Sequence, residues 1–350
     1  MMPAKPLTTR PTVSVVIPCY NYGRYLPGAV RSVLDQDDVD LQIIIVDDAS
    51  TDTSAAVAQS LAAADPRITL IQHPGNLGHI ATYNDGLRRV SGDYVVLLSA
   101  DDLLAPGSLG RACALMEHRS DVGLVYGFAP DFSDEPPEVH GNFSYWSVWD
   151  GETWIGQMCR RGANIIVNPE AVLRRSVMDD LVGYRANLPQ TADMELWMRA
   201  ATLGSVGRVN GPPQGFYRVH DANMHLNDFQ GLLTETRARR DTFREFFSRE
   251  GAELSAPEKL RERALRAIAF EAMREARAVL SQPGRAAVEH AGDFAELAVE
   301  TWPRILKTSL YRQYRRRQNR PVGRARRYVE GELTSVRGAL RWRRWRRFGT

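Results

Sequence analysis

Residues 43–52 read Ile43-Ile44-Ile45-Val46-Asp47-Asp48-Ala49-Ser50-Thr51-Asp52. Four consecutive branched apolar residues suit a strand buried on both faces, and such strands belong to parallel sheets covered by helices. Two carboxylates close the strand, and Thr51 or Asp52 can cap a helix running to about Ala64. The same unit recurs on either side. Residues 13–17 form a buried-strand run, followed by helical spacing over 25–34. Residues 67–71 precede a helix over 78–90, and 93–98 precede one that starts at Pro106 and runs toward His118. Residues 122–126 are a fifth strand. This alternation predicts an α/β fold with a mainly parallel sheet flanked by helices.

In such sheets ligands bind outside the carboxyl ends of the strands. There the chain places Tyr20 with Asn21, Asp47 with Asp48, and Asp101 with Asp102. Three strand ends rich in polar groups predict one crevice. A carboxylate at the end of the second strand can accept hydrogen bonds from a base N–H or a ribose hydroxyl; Asp47 or Asp48 can equally cap the next helix. Adjacent acids after an apolar strand are costly unless a cation sits between them. A divalent metal with phosphate oxygens would fill that place at Asp101 and Asp102, either Mg²⁺ or Mn²⁺. A turn with two solvated acids is the alternative.

The common phosphate and hydrolase motifs are absent. No G-x-G-x-x-G follows the first strand, no Gly-Lys pair exists, and H-E-x-x-H and G-x-S-x-G are missing. The composition, 43% apolar and 25% charged over 350 residues, is that of a globular chain and excludes disordered and fibrous classes. The opening residues lack the apolar core of a secretory signal, and no apolar run approaches the ~18 residues of a spanning helix. A cytoplasmic protein is expected. Cys19, Cys113 and Cys159 are far apart and form no C-x-x-C pair, so reduced, packed thiols are expected.

The motifs in their order resemble family 2 glycosyltransferases, which have the GT-A fold. The opening of that family is similar to Val13-Ser-Val-Val-Ile-Pro-Cys-Tyr-Asn21, and its second motif to residues 43–52. Its third block resembles Asn76-Leu-Gly78, Asn84-Asp-Gly86 and Gly92-Asp93. The metal-binding D-x-D resembles Ser99-Ala-Asp-Asp102, and the later acidic motif resembles Ala192-Asp-Met-Glu-Leu-Trp-Met-Arg199. Tyr217-Arg-Val-His220, followed by Asn223, is similar to a run that closes over the diphosphate. The resemblance spans about residues 12–226.

The resemblance implies that Pro18 and Tyr20 border the donor base and that Asp48 pairs with its polar edge. Asn21, Asp47, Asn84 and Ser99 belong to the same implied donor nucleotide site. It further implies Asp101 and Asp102 at the metal and diphosphate, Arg218 and His220 on the diphosphate, and Asp193 as the base that deprotonates the acceptor hydroxyl. The implied partners are a nucleotide-diphosphate sugar and a saccharide or lipid-linked acceptor. Three departures stand out. Ser99 replaces the first aspartate of the D-x-D in many members, Tyr83 replaces an arginine, and Ala192 replaces a glutamate beside the base.

Chemistry gives a separate argument for Asp193. Sugar transfer to an alcohol needs a base for the hydroxyl proton, and positive charge on the departing diphosphate, which a metal and Arg218 could supply. Direct displacement of this kind inverts the anomeric centre. Asp193 can also be a surface acid paired along its own helix, and Arg218 and His220 can make ordinary loop hydrogen bonds. Trp146, Trp149 and Trp154 can stack on an acceptor sugar or pack in a core or lid.

The expected organisation has a donor-binding half at 1–110, an acceptor-binding half of the same domain at 111–230, and a helical extension at 231–350. In the extension Leu260, Leu265, Ile268, Ala272, Ala276 and Leu280 mark one face of a helix ending near Pro283. A second helix is expected over 286–299. From Arg304 onward sixteen basic residues face only Glu330 and Glu332, a net +14 that leaves −11 for the rest of the +3 chain. Tyrosine, tryptophan and arginine interleave there, which suits an anionic membrane surface. A solvated tail or an oligomer contact are alternatives, and the enzyme motifs argue against nucleic acid. Two rival functions remain: a sugar-phosphate nucleotidyltransferase, which the non-glycine-rich loop 18–24 disfavours, and a non-catalytic nucleotide-sugar-binding protein of the same fold.

Overall fold

The computed structural model describes residues 2–139, 145–221, 231–281 and 284–318. The chain divides into two compact units, one of residues 1–154 and 166–223, the other of 155–165 and 224–350.

The first unit opens with β1 (Met2–Pro3) and β2 (Thr12–Cys19), followed by α1 (Leu26–Leu34), β3 (Asp40–Asp47), α2 (Ser54–Ala64), β4 (Ile68–Gln72), α3 (His79–Leu87) and β5 (Tyr94–Leu97). Then come β6 (Leu103–Leu104), α4 (Ser108–His118), β7 (Val122–Tyr126), β8 (Asp131–Phe132) and β9 (Tyr145–Trp149). The unit is completed by β10 (Val172–Arg174), α6 (Arg175–Leu181), α7 (Ala192–Leu203), β11 (Ser205–Asn210) and β12 (Gly215–Arg218); α5 (Gly151–Arg161) precedes β10, and its residues 155–161 belong to the second unit.

The described strands form a sheet of order β1-β9-β11-β7-β10-β5-β2-β3-β4 and a small sheet of order β6-β12-β8. β5, β2, β3 and β4 run parallel, as do β7 and β11. The fold is therefore α/β with a mainly parallel sheet, as the alternation predicts. β9 and β10 are the departures: β9 runs antiparallel to β11 and β1, and the three residues of β10 run antiparallel to both β5 and β7 and join the two parallel blocks. A three-residue strand is too short to leave a periodic signal.

β2 and β3 are buried on both faces, which explains their unbroken apolar runs. Each fully buried Ile or Val there contributes about 1.5–3 kcal/mol. Gly86 is where α3 lies closest to the sheet. A Cβ at that position would stand 2.3 Å from Val16 Cγ1 and 3.2 Å from Val46 Cγ2. The three cysteines are buried free thiols, and burial pushes Cys19 up to about 11.

The second unit holds α8 (Leu232–Phe247), α9 (Pro257–Val279), α10 (Arg285–Thr301) and α11 (Ser309–Gln318). Ala269, Ala272, Met273 and Ala276 of α9 pack with Ala291, Phe294 and Ala298 of α10. Small residues let these helices approach closely. Leu260, Ile268, Ala272 and Ala276 are buried as the periodicity predicts, whereas Leu265 and Leu280 are half-buried. Arg239 on α8 is buried and forks onto both carboxylate oxygens of Glu271, 3.0 Å each, while donating to the Gly162 carbonyl. Among the described residues no helix is long and apolar enough to cross a membrane. Asn223 and the stretch 319–350, with Leu333, Val336, Leu340, Trp342, Trp345 and Phe348, lie outside the described residues.

Candidate active site

The carboxyl ends of β2 and β3 form one wall. Pro18 and Tyr20 stand at the end of β2, where the Tyr20 side chain is 44% exposed. Asn21 follows with φ 58°, a left-handed conformation that asparagine tolerates better than most residues. Its amide oxygen accepts the N–H groups of Thr51, at 2.8 Å, and Asp52, at 3.3 Å, and its own N–H donates to Ser50 Oγ. The Asn21 carboxamide oxygen thus ties two strand-end loops together rather than pointing to a ligand.

Asp47 is 2% exposed. Its Oδ2 accepts a long hydrogen bond from Ser50 N–H at 3.4 Å, while Oδ1 is buried with no hydrogen-bond partner. An unmet buried carboxylate oxygen is costly and asks for a donor. At the start of α2 it is Asp52, not Asp47 or Asp48, that accepts Ser54 N–H, at 2.8 Å.

Asp48 is fully engaged. It accepts N–H groups of Leu77 and Gly78 at 2.8 and 2.9 Å, and its Oδ1 lies 2.7 Å from His73 Nδ1. Burial works against its ionisation, but the hydrogen bonds from His73, Leu77, Gly78 and Thr82 outweigh that and hold its carboxyl below the usual range. The other ring nitrogen of His73 lies 2.8 Å from Asp85 Oδ2, and Asp85 pairs in turn with Arg88. His73 escaped the sequence reading although it stands directly after β4, a place the strand-end rule would have flagged.

The opposite wall is built by the small sheet. β6 follows Asp102 directly and pairs antiparallel with β12, Leu104 against Gly215 and Leu103 against Phe216. Continuing that register sets Arg218 across from Asp101, more than a hundred residues away in sequence. Arg218 N–H donates to Asp102 Oδ1 at 2.9 Å, and its Nε donates to the Asp101 carbonyl at 2.8 Å. The guanidinium lies 4.2 Å from the Phe132 ring centre and 4.8 Å from that of Tyr25. His220 Nε2 is 3.0 Å from Asp101 Oδ2. Both acids are buried. Burial raises the Asp101 pKa; burial and then the Asp101 charge raise that of Asp102 well above its ordinary value.

Tyr83 of α3 is buried close to Ser99. Its hydroxyl is 3.3 Å from Ser99 Oγ and accepts from Asn168 Nδ2 at 3.2 Å, and its ring packs 5.2 Å from that of Tyr184. Burial, and then the charges of Asp102, Asp101 and Asp193, oppose its ionisation and raise its pKa. Asp193 lies in the first turn of α7, where a carboxylate is favoured by the helix dipole. The turn is anchored by Glu195, wholly buried, which accepts from Arg185 and Arg199; Arg199 also donates to the Leu181 and Gly183 carbonyls. Asn84 completes the frame: its carboxamide donates to the Tyr184 carbonyl at 2.9 Å and accepts Tyr184 N–H at 2.8 Å. Asn84 is thus a clamp between α3 and the 183–184 loop, not a group aimed at a ligand. Tyr184 carries no sequence signal of its role.

Of Trp146, Trp149 and Trp154, the first and last are buried in packing, Trp154 against Tyr126, and Trp149 is half-buried. Among the described residues no cluster of three or more acids, histidines or cysteines is set to hold a metal by itself. Two adjacent buried carboxylates whose pKa values are raised by burial, that of Asp102 also by the Asp101 charge, nonetheless fit a divalent cation that takes its remaining ligands from phosphate oxygens.

Residues 14–182 match the family model described as Glycosyl transferase family 2. In fold the chain is similar to TarS residues 1–349 of S. aureus in complex with UDP-GlcNAc, at TM-score 0.61 and 14% identity, covering 93% of this chain and 92% of that one. It is also similar to the mannosyltransferase PcManGT of Pyrobaculum calidifontis in complex with GDP-Man and Mn²⁺, at TM-score 0.54 and 19% identity, covering 95% and 90%. In sequence it is 34% identical over 135 residues to the GalNAc(5)-diNAcBac-PP-undecaprenol beta-1,3-glucosyltransferase of Campylobacter jejuni, 38% of this chain and 41% of that protein. Three curated relatives match over 214–224 residues at 24–32% identity, and the chain spans 65–67% of their length. Over residues 14–182 the chain is thus similar to family 2 glycosyl transferases, and its sheet topology is that of a GT-A-type fold.

Proposed function

We propose that this protein transfers a sugar, with inversion, from a nucleoside-diphosphate sugar to a hydroxyl of a glycan or lipid-linked saccharide. The observation that carries this reading is the buried pair Asp101 and Asp102 at a strand end, with Arg218 bound to both and His220 on Asp101.

In this reading Tyr20 and Pro18 flank the base, and the unpartnered Oδ1 of Asp47 supplies an acceptor at its polar edge. Asp48, already saturated by N–H groups, shapes the wall behind it. Asp101 and Asp102 would hold a Mg²⁺ or Mn²⁺ ion, which when bound neutralises charge on the diphosphate. Arg218 and His220 add positive charge on the same side. Asp193 accepts the acceptor's hydroxyl proton as the new C–O bond forms at the anomeric carbon and the bond to the β-phosphate oxygen breaks. The nucleoside diphosphate leaves from the opposite face. Asn21 and Asn84 act as scaffold. Support for the donor class comes from the UDP-GlcNAc and GDP-Man complexes of the two similar folds, and for a lipid-linked acceptor from the undecaprenol-linked substrate in the name of the C. jejuni relative.

The test is a calorimetric titration of the full chain with UDP-, GDP-, dTDP- and CDP-sugars, with Mn²⁺ and with EDTA. Binding of one donor class that weakens in EDTA is expected. Folded protein that binds none of them would contradict the reading.

A further inference from the structure

His73 lies in none of the roles above, yet it is the most constrained titratable side chain beside the base wall. Its imidazole is 4% exposed, with one nitrogen 2.7 Å from Asp48 and the other 2.8 Å from Asp85. A neutral imidazole has one N–H and would set a lone pair against one of these carboxylates; only the doubly protonated ring donates to both. The charged groups that act on the ring are Asp48 from the end of β3 and Asp85 from α3, with Arg88 behind Asp85. Loop 74–78, Pro-Gly-Asn-Leu-Gly, brings none, and His79 at the start of α3 faces the Pro189 carbonyl.

The position of this ring matters because of what it holds. His73 N–H is bound to the Asp47 carbonyl at 2.9 Å, so the residue is tied to β3 by backbone as well as side chain. Asp48 in turn anchors Leu77 and Gly78, the residues that lead into α3, and α3 carries Tyr83 and Asn84. Resting on the donor-site reading above, we propose that His73 is a positioning residue. As an imidazolium clamped between Asp48 and Asp85, it locks the end of β3 to α3 and keeps the base wall in shape for the donor nucleotide, so that donor affinity falls when the ring loses its proton.

Burial disfavours the charged ring, but the bonds to Asp48 and Asp85 outweigh it and raise its pKa above the ordinary histidine value. The contribution of the clamp is therefore complete below about pH 6.5 and is lost as pH rises through the higher folded-state value.

The experiment titrates the full chain with UDP, GDP, dTDP and CDP in the presence of Mg²⁺, between about pH 6 and 8.5, a window that brackets the ordinary histidine pKa. The diphosphate that the wild type binds is then the probe for His73→Gln and Asp85→Asn, each first shown to be folded by circular dichroism. His73→Gln should bind about tenfold more weakly at low pH, the effect of one lost charge-assisted contact, and should lose the wild type's pH dependence. Asp85→Asn keeps the bond to Asp48 but removes one carboxylate, so the midpoint of the pH profile should move down by about one unit. Variants with the wild-type affinity and profile would overturn the inference. A wild type that binds none of the four diphosphates would instead overturn the donor reading, and this inference with it.

Discussion

The hydroxyls of Tyr83 and Ser99 lie 3.3 Å apart at the floor of the crevice, and both occupy positions where the sequence departs from the pattern of many family 2 members. The two departures are thus in contact. The resemblance implies an arginine and an aspartate at these two positions; here two neutral hydroxyls meet instead.

Ser99→Asp restores one member of that pair without the other. A third carboxylate would join Asp101 and Asp102 with no arginine to meet it. The chelated variant should be less stable than wild type by on the order of 1–3 kcal/mol, and Mn²⁺ should raise its melting temperature by more than it raises that of wild type. Thermal melts in EDTA and in Mn²⁺ decide this; equal metal shifts would mean that position 99 does not face the cation.

Asp102→Asn tests the buried acid pair. The folded-state pKa of Asp102 is raised, by burial and then by the Asp101 charge, above the ordinary value near 3.9. Below that value the carboxyl is protonated in both states and carries no penalty; the penalty grows as pH rises through the folded value. Asparagine can still accept Arg218 N–H. In EDTA at pH 8 the variant should therefore be more stable than wild type, by about 1–3 kcal/mol, with the gain shrinking toward pH 4. It should also lose metal-dependent stabilisation. Denaturant melts across this range measure both effects.

Asn84→Ala removes the two hydrogen bonds to the Tyr184 backbone, at 2.8 and 2.9 Å. The expected cost is about 1–3 kcal/mol, read from the denaturation midpoint. Turnover should fall with it, since Tyr184 packs on Tyr83. A variant with unchanged stability would show that the clamp contributes nothing.

Arg312, Arg315 and Arg316 are exposed on α11, ahead of the basic stretch 319–350. Cosedimentation with vesicles containing anionic phospholipid should drop when residues 319–350 are deleted, and should fall for the intact chain as salt rises. Equal cosedimentation with and without the stretch would remove the membrane from the account.

Much of the frame was legible in the sequence because buried parallel strands leave unbroken apolar runs, as in β2 and β3, and strand ends then point to the crevice. Asp47, Asp101 and Asp102 were proposed that way, and the structure places all three at buried strand ends. What stayed hidden depends on long-range pairing. β10 is three residues long and antiparallel, and no local pattern separates it from a loop. The link from Arg218 to Asp101 follows from the β6–β12 register, which sequence spacing cannot supply. Asn21 and Asn84 read as ligand-facing because their type and place suit recognition; the structure adds backbone partners 30 and 100 residues away for the Asn21 amide oxygen and the Asn84 carboxamide, which sequence spacing does not reveal. His73 was missed for the converse reason: a lone histidine after a strand gains meaning only when two carboxylates converge on it.

The most direct measurement compares wild type with Asp193→Asn, first by donor titration and then by release of nucleoside diphosphate in the presence of acceptor or water. The account predicts that the variant binds the donor about as tightly as wild type and that turnover falls by about 10²–10⁴-fold, the range for loss of a general base. Turnover equal to wild type in a variant that binds donor would contradict the assignment of Asp193 and, with it, the proposed displacement.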